Sequence, residues 1–276
     1  MRNNFDCDTK YPLFFVHGMG FRDGKICYWG RIPKILENHG SSVYFGFQDA
    51  NASIEENAAV LKNSLKKILD ETGAEKVNII AHSKGGIDSR YMISMLGMAK
   101  NVATLTTISS PHNGSAAMDK LMKLPKSLLK TGCWITDIIK KLEGDSNPDT
   151  YRCLEQVTAS YMTEFNKNNP DSESVYYRSY SFVMKNFLSD IIMSVPYIAV
   201  KVLDGKSDGL LTPNEAKWGD FRGIYTGTGR RGISHPDEVD LRRRNFSRKE
   251  PESEHEISDI TEFYVKIVSE LKGMGY

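Results

Sequence analysis

Residues 77–86 read Val-Asn-Ile-Ile-Ala-His-Ser-Lys-Gly-Gly, and this stretch decides the fold. An apolar run that predicts a buried strand leads directly into a pattern that predicts a helix over residues 85–96. So abrupt a turn holds Ser83 in strained dihedral angles and lifts its side chain clear of the backbone. Residues two positions away must be small because the helix packs closely on the strand, and Ala81 and Gly85 are small. The flanking strand and helix favour a nucleophilic Ser83 over a serine in an ordinary turn.

A second glycine-rich turn follows the first predicted strand. Residues 11–20 read Tyr-Pro-Leu-Phe-Phe-Val-His-Gly-Met-Gly. In open α/β sheets, ligands bind where the carboxyl ends of the strands meet such loops. We therefore predict that the backbone N–H groups of Met19 and Lys84 form an oxyanion hole. We interpret His17 as a structural histidine that hydrogen-bonds the loop backbone, and His82 as a packing residue.

Strand and helix patterns alternate through the first 110 residues. Ser53 and Glu56 predict a capping box at the start of one amphipathic helix. Strands separated by helices indicate βαβ units and a largely parallel sheet. The predicted strands are residues 11–16, 43–47, 77–81 and 102–108, and the predicted helices are residues 33–38, 54–69 and 85–96.

The pattern changes after residue 113, where strand signals disappear. Three amphipathic stretches follow, at residues 116–130, 133–142 and 151–165. We interpret residues 115–170 as a helical insertion that covers one edge of the sheet, between core segments 1–114 and 171–276. A strand pattern resumes at residues 175–183, residues 222–253 predict long surface loops, and residues 257–271 predict a final helix.

The insertion carries an apolar stripe that leaves two interpretations open. The stripe packs on the core, or it belongs to a lid that opens at a lipid surface with lysines among anionic head groups. Its members are Trp134, Ile135, Ile138, Ile139 and Leu142.

A nucleophilic serine needs a basic histidine and a carboxylate that orients it. In a strand-turn-helix hydrolase these follow the serine in the order acid, then histidine. Two histidines lie late enough in the chain, His235 and His255. Asp204, Asp208 and Asp220 are the candidate acids.

Several segments together resemble the bacterial family I triacylglycerol lipases of the α/β-hydrolase superfamily. The resemblance is dense over residues 11–115 and 204–241 and fades within the insertion. It rests on YPLFFVHG (11–18), YWGRIP (28–33), KVNIIAHSKGG (76–86), PHNGS (111–115), SDGLL (207–211) and HPDEV (235–239).

This resemblance implies an α/β-hydrolase fold: a mostly parallel sheet flanked by helices, with a helical, lid-like insertion. It assigns the acid role to Asp208 and the base role to His235, with His255 as the second candidate base. It also suggests a structural calcium ion that braces the loop of the catalytic histidine, with Asp237 and Asp190 as carboxylate ligands. Solvated surface carboxylates are the alternative for that pair. No cofactor is required for the chemistry.

The function that follows is carboxylester hydrolysis by a serine hydrolase. A lipase is predicted that acts on acylglycerols or other fatty-acyl esters through a Ser-His-Asp triad and an acyl-enzyme intermediate. One alternative is an esterase or thioesterase acting on short, soluble acyl substrates. Another is a non-catalytic binding protein with the same fold, which the set Ser83, Asp208 and His235 disfavours.

The composition of the chain limits the classes of partner that we expect. With 36 Lys and Arg against 35 Asp and Glu, the net charge of +1 shows no basic excess for nucleic-acid binding. Residues 1–10 are polar and show no secretory signal, so we expect a cytoplasmic protein or a mature secreted form. Residues 191–203 are the most apolar later stretch, but polar residues and a proline interrupt them, so no transmembrane segment is predicted. The expected partners are a lipid or ester substrate and a transient lipid interface.

Four cysteines, Cys7, Cys27, Cys133 and Cys153, fit no metal-ligand spacing. A disulfide between the last two remains open, and free buried thiols are favoured.

Overall fold

Seven strands form one sheet in the computed structural model, which describes residues 6–23, 28–190, 193–194, 197–198, 205–247 and 249–276. All neighbouring strands are parallel, and their spatial order is β2-β1-β3-β4-β5-β6-β7. The predicted parallel sheet is therefore confirmed. The strands are β1 (Leu13–Val16), β2 (Val43–Phe45), β3 (Val77–His82), β4 (Val102–Ile108), β5 (Tyr176–Phe182), β6 (Asp220–Gly227) and β7 (Glu256–Ile257).

Helices connect and cover these strands, as parallel connections require. In the described part of the chain they are α1 (Ile32–Asn38), α2 (Ile54–Thr72), α3 (Lys84–Met95), α4 (Ala116–Leu121), α5 (Lys126–Glu143), α6 (Thr150–Gln156), α7 (Ala159–Asn168), α8 (Pro213–Ala216) and α9 (Ile260–Gly273).

The two faces of the sheet are buried under different helices. Side chains alternate along β1, so Leu13 and Phe15 pack with α1 and α9, while Phe14 and Val16 pack with α2 and α3. All four side chains are fully buried. Because strands of a parallel sheet are covered on both faces, β1 is a continuous apolar run, and all six residues of β3 are buried although two of them, Asn78 and His82, are polar.

The start of α2 has one of the two hydrogen bonds of the predicted capping box. Ser53 Oγ accepts a hydrogen bond from the backbone N–H of Glu56 at 3.2 Å. The Glu56 carboxylate accepts a hydrogen bond from the Ser53 hydroxyl at 3.1 Å. In a capping box it would accept one from the Ser53 backbone N–H instead.

The helix boundaries predicted in the insertion were wrong in two places. The predicted helix over residues 116–130 is broken between α4 and α5, and α5 then runs through residues 131–132, where a break was predicted. Pro125 is the N-cap of α5, because proline has no N–H to continue the preceding helix. The stretch 151–165 is likewise two helices, since Thr158 caps α7 by accepting a hydrogen bond from Tyr161 N–H.

Two predictions near the carboxyl end were also wrong. The predicted loops over residues 222–253 contain most of β6, whose glycines and arginines suggested surface loops although its Tyr225 side chain is buried. The final helix begins at Ile260 instead of Ile257, because Asp259 caps it by accepting a hydrogen bond from Thr261 N–H at 3.0 Å. Ile257 belongs to β7.

Polar contacts with residues 49–57, which lead into α2, help to join the insertion to the core. The Asp145 carboxylate accepts hydrogen bonds from Ala50 N–H and Asn51 N–H at 2.9 and 3.0 Å. Gln156 Oε1 accepts one from Ile54 N–H at 2.8 Å. The boundaries of the insertion, residues 115–170, stay a prediction.

Cys7, Cys133 and Cys153 are free buried thiols in the structure, so the favoured interpretation holds for these three; Cys27 lies outside the described residues. Among the helices that the structure describes, none has the length and apolar character needed to cross a bilayer. The interrupted stretch 191–203 falls largely outside the described residues.

The tight packing of α3 on β1 predicts a steric cost at Gly85. A Cβ there would lie 2.4 Å from the carbonyl oxygen of His17, so Gly85→Ala should lower the free energy of unfolding by about 2 kcal/mol or more. Gly132→Ala is the matched control, because Gly132 lies within α5 with no atom near its added Cβ, and it should gain about 0.5–1 kcal/mol. Urea unfolding measures both. Equal effects of the two variants would contradict the close approach.

Candidate active site

Ser83 occupies the turn between β3 and α3 in a conformation that residues other than glycine rarely adopt. Its φ is 54° and its ψ is −133°. The turn is held by the Ser83 N–H, which donates to Ile108 O at 2.9 Å, and by Gly86 N–H, which donates to Ser83 O at 3.1 Å. The strained turn predicted from the sequence is therefore confirmed, and Ser83 stands at the N-terminus of α3.

The loop after β1 lies directly against this turn. A Cβ on Gly18 would lie 2.7 Å from Ser83 Cβ, so only glycine fits there. The N–H groups beside Met19 are engaged: Gly18 donates to Tyr28 Oη at 3.0 Å, and Gly20 donates to Asn51 Oδ1 at 3.1 Å. The Met19 N–H has no hydrogen-bond partner among the described residues. Lys84 N–H belongs to the first turn of a helix, whose donors lack intrahelical acceptors.

Asp208 and His235 form the hydrogen-bonded pair that was predicted from the sequence. His235 Nδ1 lies 2.8 Å from Asp208 Oδ2. A carboxylate only accepts, so Nδ1 carries the proton and Nε2 is left as a base. The other oxygen, Oδ1, accepts from the N–H groups of Leu210 and Leu211 at 2.8 Å each. Burial alone would raise the pKa of Asp208, but His235 and these hydrogen bonds outweigh it and lower the pKa below its ordinary value.

Four of the predicted site residues line one cavity of about 120 Å³. Ser83, His235, Met19 and Lys84 all line it. Most of its remaining wall is apolar, and part of that wall comes from the insertion. The other lining residues are Pro111, Ser115, Met118, Leu154, Val157, Leu210 and Leu211. The structure thus brings a serine hydroxyl and a carboxylate-oriented imidazole to the same water-poor space.

Among the described residues, the competing candidates His255 and Asp220 lie outside this cavity. His255 packs on Tyr225, with ring centroids 5.0 Å apart, and does not line this cavity. Asp220 hydrogen-bonds Tyr176 and Arg222 at the surface. Asp204 lies outside the described residues.

His17 has the structural environment that was predicted. Its ring nitrogens contact the carbonyl oxygens of Gly18 and Gln48 at 2.7 and 3.0 Å, within the buried loop after β1.

His82 does more than pack, and it leads to a buried acid that sequence analysis missed. Its Nε2 lies 3.1 Å from Glu238 Oε2, its Nδ1 lies 2.7 Å from Tyr28 Oη, and its ring centroid is 4.4 Å from that of His235. Ser109 Oγ donates to the other Glu238 oxygen at 2.9 Å. Burial first, then the charges of His235 and His17, lower the pKa of His82 well below its ordinary value. The position of Glu238 within the HPDEV segment, three residues after His235, was the available signal.

A buried ion pair lies next to Ser83, and sequence analysis also missed it. Lys84 Nζ donates to Asp88 Oδ1 at 2.7 Å, and Asn57 Nδ2 donates to Asp88 Oδ2 at 3.0 Å. Both charged side chains are almost fully buried. Burial would lower the pKa of Lys84, but Asp88 outweighs it and raises the pKa above its ordinary value. The i,i+4 spacing was the only sequence signal, and such pairs are usually solvated.

The two predicted calcium ligands, Asp190 and Asp237, lie together beside His235. Side chains of the protein itself contact both carboxylates. Ser234 Oγ is 2.8 Å from both Asp190 Oδ2 and Asp237 Oδ2. The guanidinium of Arg242 contacts both carboxylates.

Fold and site together define a carboxylic ester hydrolase of the α/β-hydrolase class. A family model described as palmitoyl protein thioesterase matches residues 12–222. Triacylglycerol lipase 2 of Saccharomyces cerevisiae is 32% identical over 268 residues, which cover 91% of this chain and 75% of that protein. A triacylglycerol lipase of Pseudarthrobacter phenanthrenivorans is 31% identical over 180 residues, and the match covers 59% of this chain but only 55% of the bacterial enzyme.

The chain therefore belongs to the palmitoyl protein thioesterase family, and its predicted resemblance to lipases is confirmed. Solved structures agree on the fold. The Staphylococcus hyicus lipase superposes with a TM-score of 0.66 at 17% identity, covering 99% of both chains. A metagenomic carboxyl esterase gives 0.71 at 16% identity, covering 96% of this chain and 76% of the esterase.

The buried Glu238 predicts a specific pH dependence of stability. Burial first, then Asp208, raise its pKa well above the ordinary value. A carboxyl whose folded pKa is raised contributes stability that is complete below its unfolded pKa, about 4.3, and is lost as the pH rises through the folded pKa. Glu238→Gln removes this loss, so the variant should gain on the parent between pH 5 and pH 9, by up to about 1.4 kcal/mol per pH unit.

Urea midpoints of the two proteins across this range measure the effect. Glu75→Gln, at an exposed position, is the matched control and should follow the parent at every pH. Parallel pH curves for the parent and Glu238→Gln would show that Glu238 is ionised in the folded protein.

Proposed function

We propose that this protein is a lipase that hydrolyses fatty-acyl carboxylic esters, with acylglycerols as the substrate class. Ser83 is the nucleophile, His235 the general base and Asp208 the residue that orients the base. The observation that carries the proposal is the shared apolar cavity, which Ser83 and the carboxylate-bound His235 both line. The yeast and bacterial relatives are also named as triacylglycerol lipases.

The chemistry is a two-step acyl transfer. Ser83 Oγ attacks the ester carbonyl carbon while His235 Nε2 takes the hydroxyl proton, and the carbonyl oxygen becomes an oxyanion. The backbone N–H groups of Met19 and Lys84 donate to that oxyanion. His235 then protonates the departing alkoxide, which leaves as the alcohol. Water, deprotonated by the same imidazole, attacks the acyl-enzyme and releases the fatty acid with Ser83 regenerated.

The walls of the cavity favour an apolar acyl group. Met118, Leu154, Val157 and Leu211 offer hydrocarbon surface close to Ser83, and the burial of each methylene of an acyl chain contributes about 0.8 kcal/mol. A charged substrate would have to give up its hydration in the same space. The insertion supplies three of these four side chains, so it helps to select the substrate.

Thioester hydrolysis is the second candidate, because the matching family model is named for a palmitoyl protein thioesterase. The same nucleophile and oxyanion hole serve a thioester, whose thiolate leaves with less help from an acid than an alkoxide needs. Comparing a palmitoyl ester with a palmitoyl thioester of matched leaving-group size separates the two. A kcat/KM that is higher for the thioester would favour this candidate.

We also propose that helix α5 contacts the lipid interface. Its polar side holds it to the protein: Asp137 Oδ1 accepts from Thr150 N–H at 2.8 Å, and Lys140 donates to Gly20 O in the loop of the oxyanion hole. Its apolar stripe faces solvent instead of the core, with Trp134 63% and Leu142 84% exposed. The exposure of such a stripe to water is unfavourable, whereas a lipid surface would bury it. The neighbouring lysines would support that binding through anionic head groups.

The catalytic assignment predicts large losses of activity. Ser83→Ala or His235→Ala should lower kcat by about 10⁵–10⁶-fold, and Asp208→Ala by less, because the imidazole can still act when it is poorly oriented. Activity on a soluble nitrophenyl ester measures the losses, and circular dichroism checks the folding of each variant. His255→Ala is the matched control and should keep parental activity.

A phosphonate probe tests the nucleophile independently. It should label the parent at Ser83 and leave Ser83→Ala unlabelled. A non-catalytic binding protein would be indicated by an unlabelled parent, and an inactive His255→Ala beside an active His235→Ala would move the base to His255.

The proposed role of α5 predicts interfacial activation. The rate with a medium-chain ester should rise once the substrate exceeds its solubility limit, and the rise should disappear in Trp134→Asp/Ile138→Asp. Rates below the limit should remain within about twofold of the parent, because neither side chain lines the cavity of Ser83. Val60→Asp, at an exposed apolar position within α2, is the matched control and should keep the rise. Smooth saturation of the parent through the limit would indicate a plain esterase.

A further inference from the structure

The loop that carries His235 is flanked by two buried carboxylates that share one hydroxyl group. Asp237 is two residues after His235, and Asp190 follows a short 3-10 turn that ends at Ser189. Their side chains are almost fully buried, and Ser234 Oγ lies between them at 2.8 Å from each. A single hydroxyl proton satisfies only one of these oxygens at a time. Two buried carboxylates this close need a nearby positive charge.

Arg242 supplies that charge from the same loop. Its guanidinium donates to Asp190 Oδ2, and its Nε lies 3.5 Å from Asp237 Oδ1. A planar guanidinium matches carboxylate oxygens with several fixed donors, which an ammonium group cannot do.

Arg231 lies nearby as a second positive charge. Its Nε donates to Ser189 O at 2.6 Å. Burial first, then the charge of Arg242, lower the pKa of Arg231, while Asp237 and Asp190 act in the opposite direction. Arg231 thus adds positive charge near the pair but donates to a backbone carbonyl, whereas Arg242 contacts both aspartates directly.

A calcium ion does not fit this arrangement. Calcium takes six to eight oxygen ligands at about 2.3–2.6 Å, so it would need the Asp190 and Asp237 oxygens that the guanidinium now contacts. With Arg242 in place, a dication would also lie within a few ångströms of a fixed positive charge. The donor set around the carboxylates consists of nitrogen donors and a hydroxyl, which suits a built-in cation.

We propose that Arg242 is the resident cation of a site formed by Asp190, Ser234 and Asp237, and that it braces the His235 loop without calcium. Ser234 and Asp237 lie on either side of His235, so their contacts fix the backbone from which the imidazole reaches Asp208. Arg242 is thus a positioning residue, seven positions along the chain from the base that it helps to hold.

The melting temperature tests this proposal independently of ester hydrolysis. The parent should melt at the same temperature in millimolar Ca²⁺ and in chelator. Arg242→Ala should melt at least about 5 °C lower, because it removes the guanidinium that offsets the charge of two buried carboxylates. The melting temperature of Arg242→Lys, which keeps the charge but lacks the planar guanidinium group, should fall less. Arg244→Ala, at an exposed position nearby, is the matched control and should change little.

Calcium should then stabilise the variant that lacks the guanidinium. With Arg242 removed, the carboxylates become available as oxygen ligands, so Ca²⁺ should raise the melting temperature of Arg242→Ala and restore part of its lost kcat, while KM changes little. The rise should be absent in Arg242→Ala/Asp237→Asn.

Two results would overturn the proposal. One is a calcium-dependent rise in the melting temperature of the parent that Asp237→Asn abolishes. The other is an unchanged melting temperature of Arg242→Ala. If Arg242→Ala does not fold, Arg242→Lys and the calcium response of the parent still decide. A protein without esterase activity that showed the expected melting behaviour would refute the proposed function and leave this inference standing.

Discussion

The backbone conformation of Ser83 is the constraint on which the site depends. A left-handed φ at a residue other than glycine costs about 1–3 kcal/mol, so it persists only where the surroundings hold it. Here the parallel neighbours β1 and β4 hold it. The Ser83 N–H bonds to the end of β4, and the loop after β1 approaches so closely that only glycine fits at residue 18. The same turn that exposes the hydroxyl also aims the first N–H groups of α3 at the space above it.

Charge is buried around this turn to an unusual degree, and each buried charge is paired or hydrogen-bonded. Lys84 and Asp88 form an ion pair directly after Ser83 in the chain, and Asp208 is held by His235 and two backbone N–H groups. Burial raises the pKa of Glu238 well above its ordinary value, and its carboxyl group contacts His82, whose ring packs against that of His235. Such groups add little net stability, because desolvation offsets their attraction, but removing one partner is costly. The network therefore fixes the geometry of the imidazole more than it stabilises the fold.

The insertion and the loop that carries His235, here called the histidine loop, both reach the cavity of Ser83. The insertion contributes apolar walls to the cavity and presents the exposed stripe of α5, and it is tied to the core through polar contacts at residues 49–57. The histidine loop is tied down by the ionic contacts of Arg242. In the proposed function, the insertion helps to select the substrate and the histidine loop positions the base, and both parts of the chain contribute residues to the cavity of Ser83.

Features that depend on a few neighbouring residues were predictable from the sequence. The turn at Ser83, the strands β1, β3 and β4 and the cap of α2 depend on periodicity, small residues and local hydrogen bonds. Where a local signal was misread, another local cause prevailed: Pro125 set the start of α5, and Asp259 set the start of α9.

The prediction of the acid and the base required more than local sequence information. Chain order left three aspartates and two histidines, the resemblance to lipases selected Asp208 and His235, and only the fold brings their side chains within 2.8 Å across 27 positions. Tertiary structure alone decided the burial of Glu238, Lys84 and Asp88 and the presence of Arg242 between the two aspartates. In a sequence, such residues resemble solvated surface charges, because charge pairing and dehydration arise from contacts between distant segments. Backbone preferences act over a few residues, whereas the protonation and partners of a buried group are set by everything that the fold packs around it.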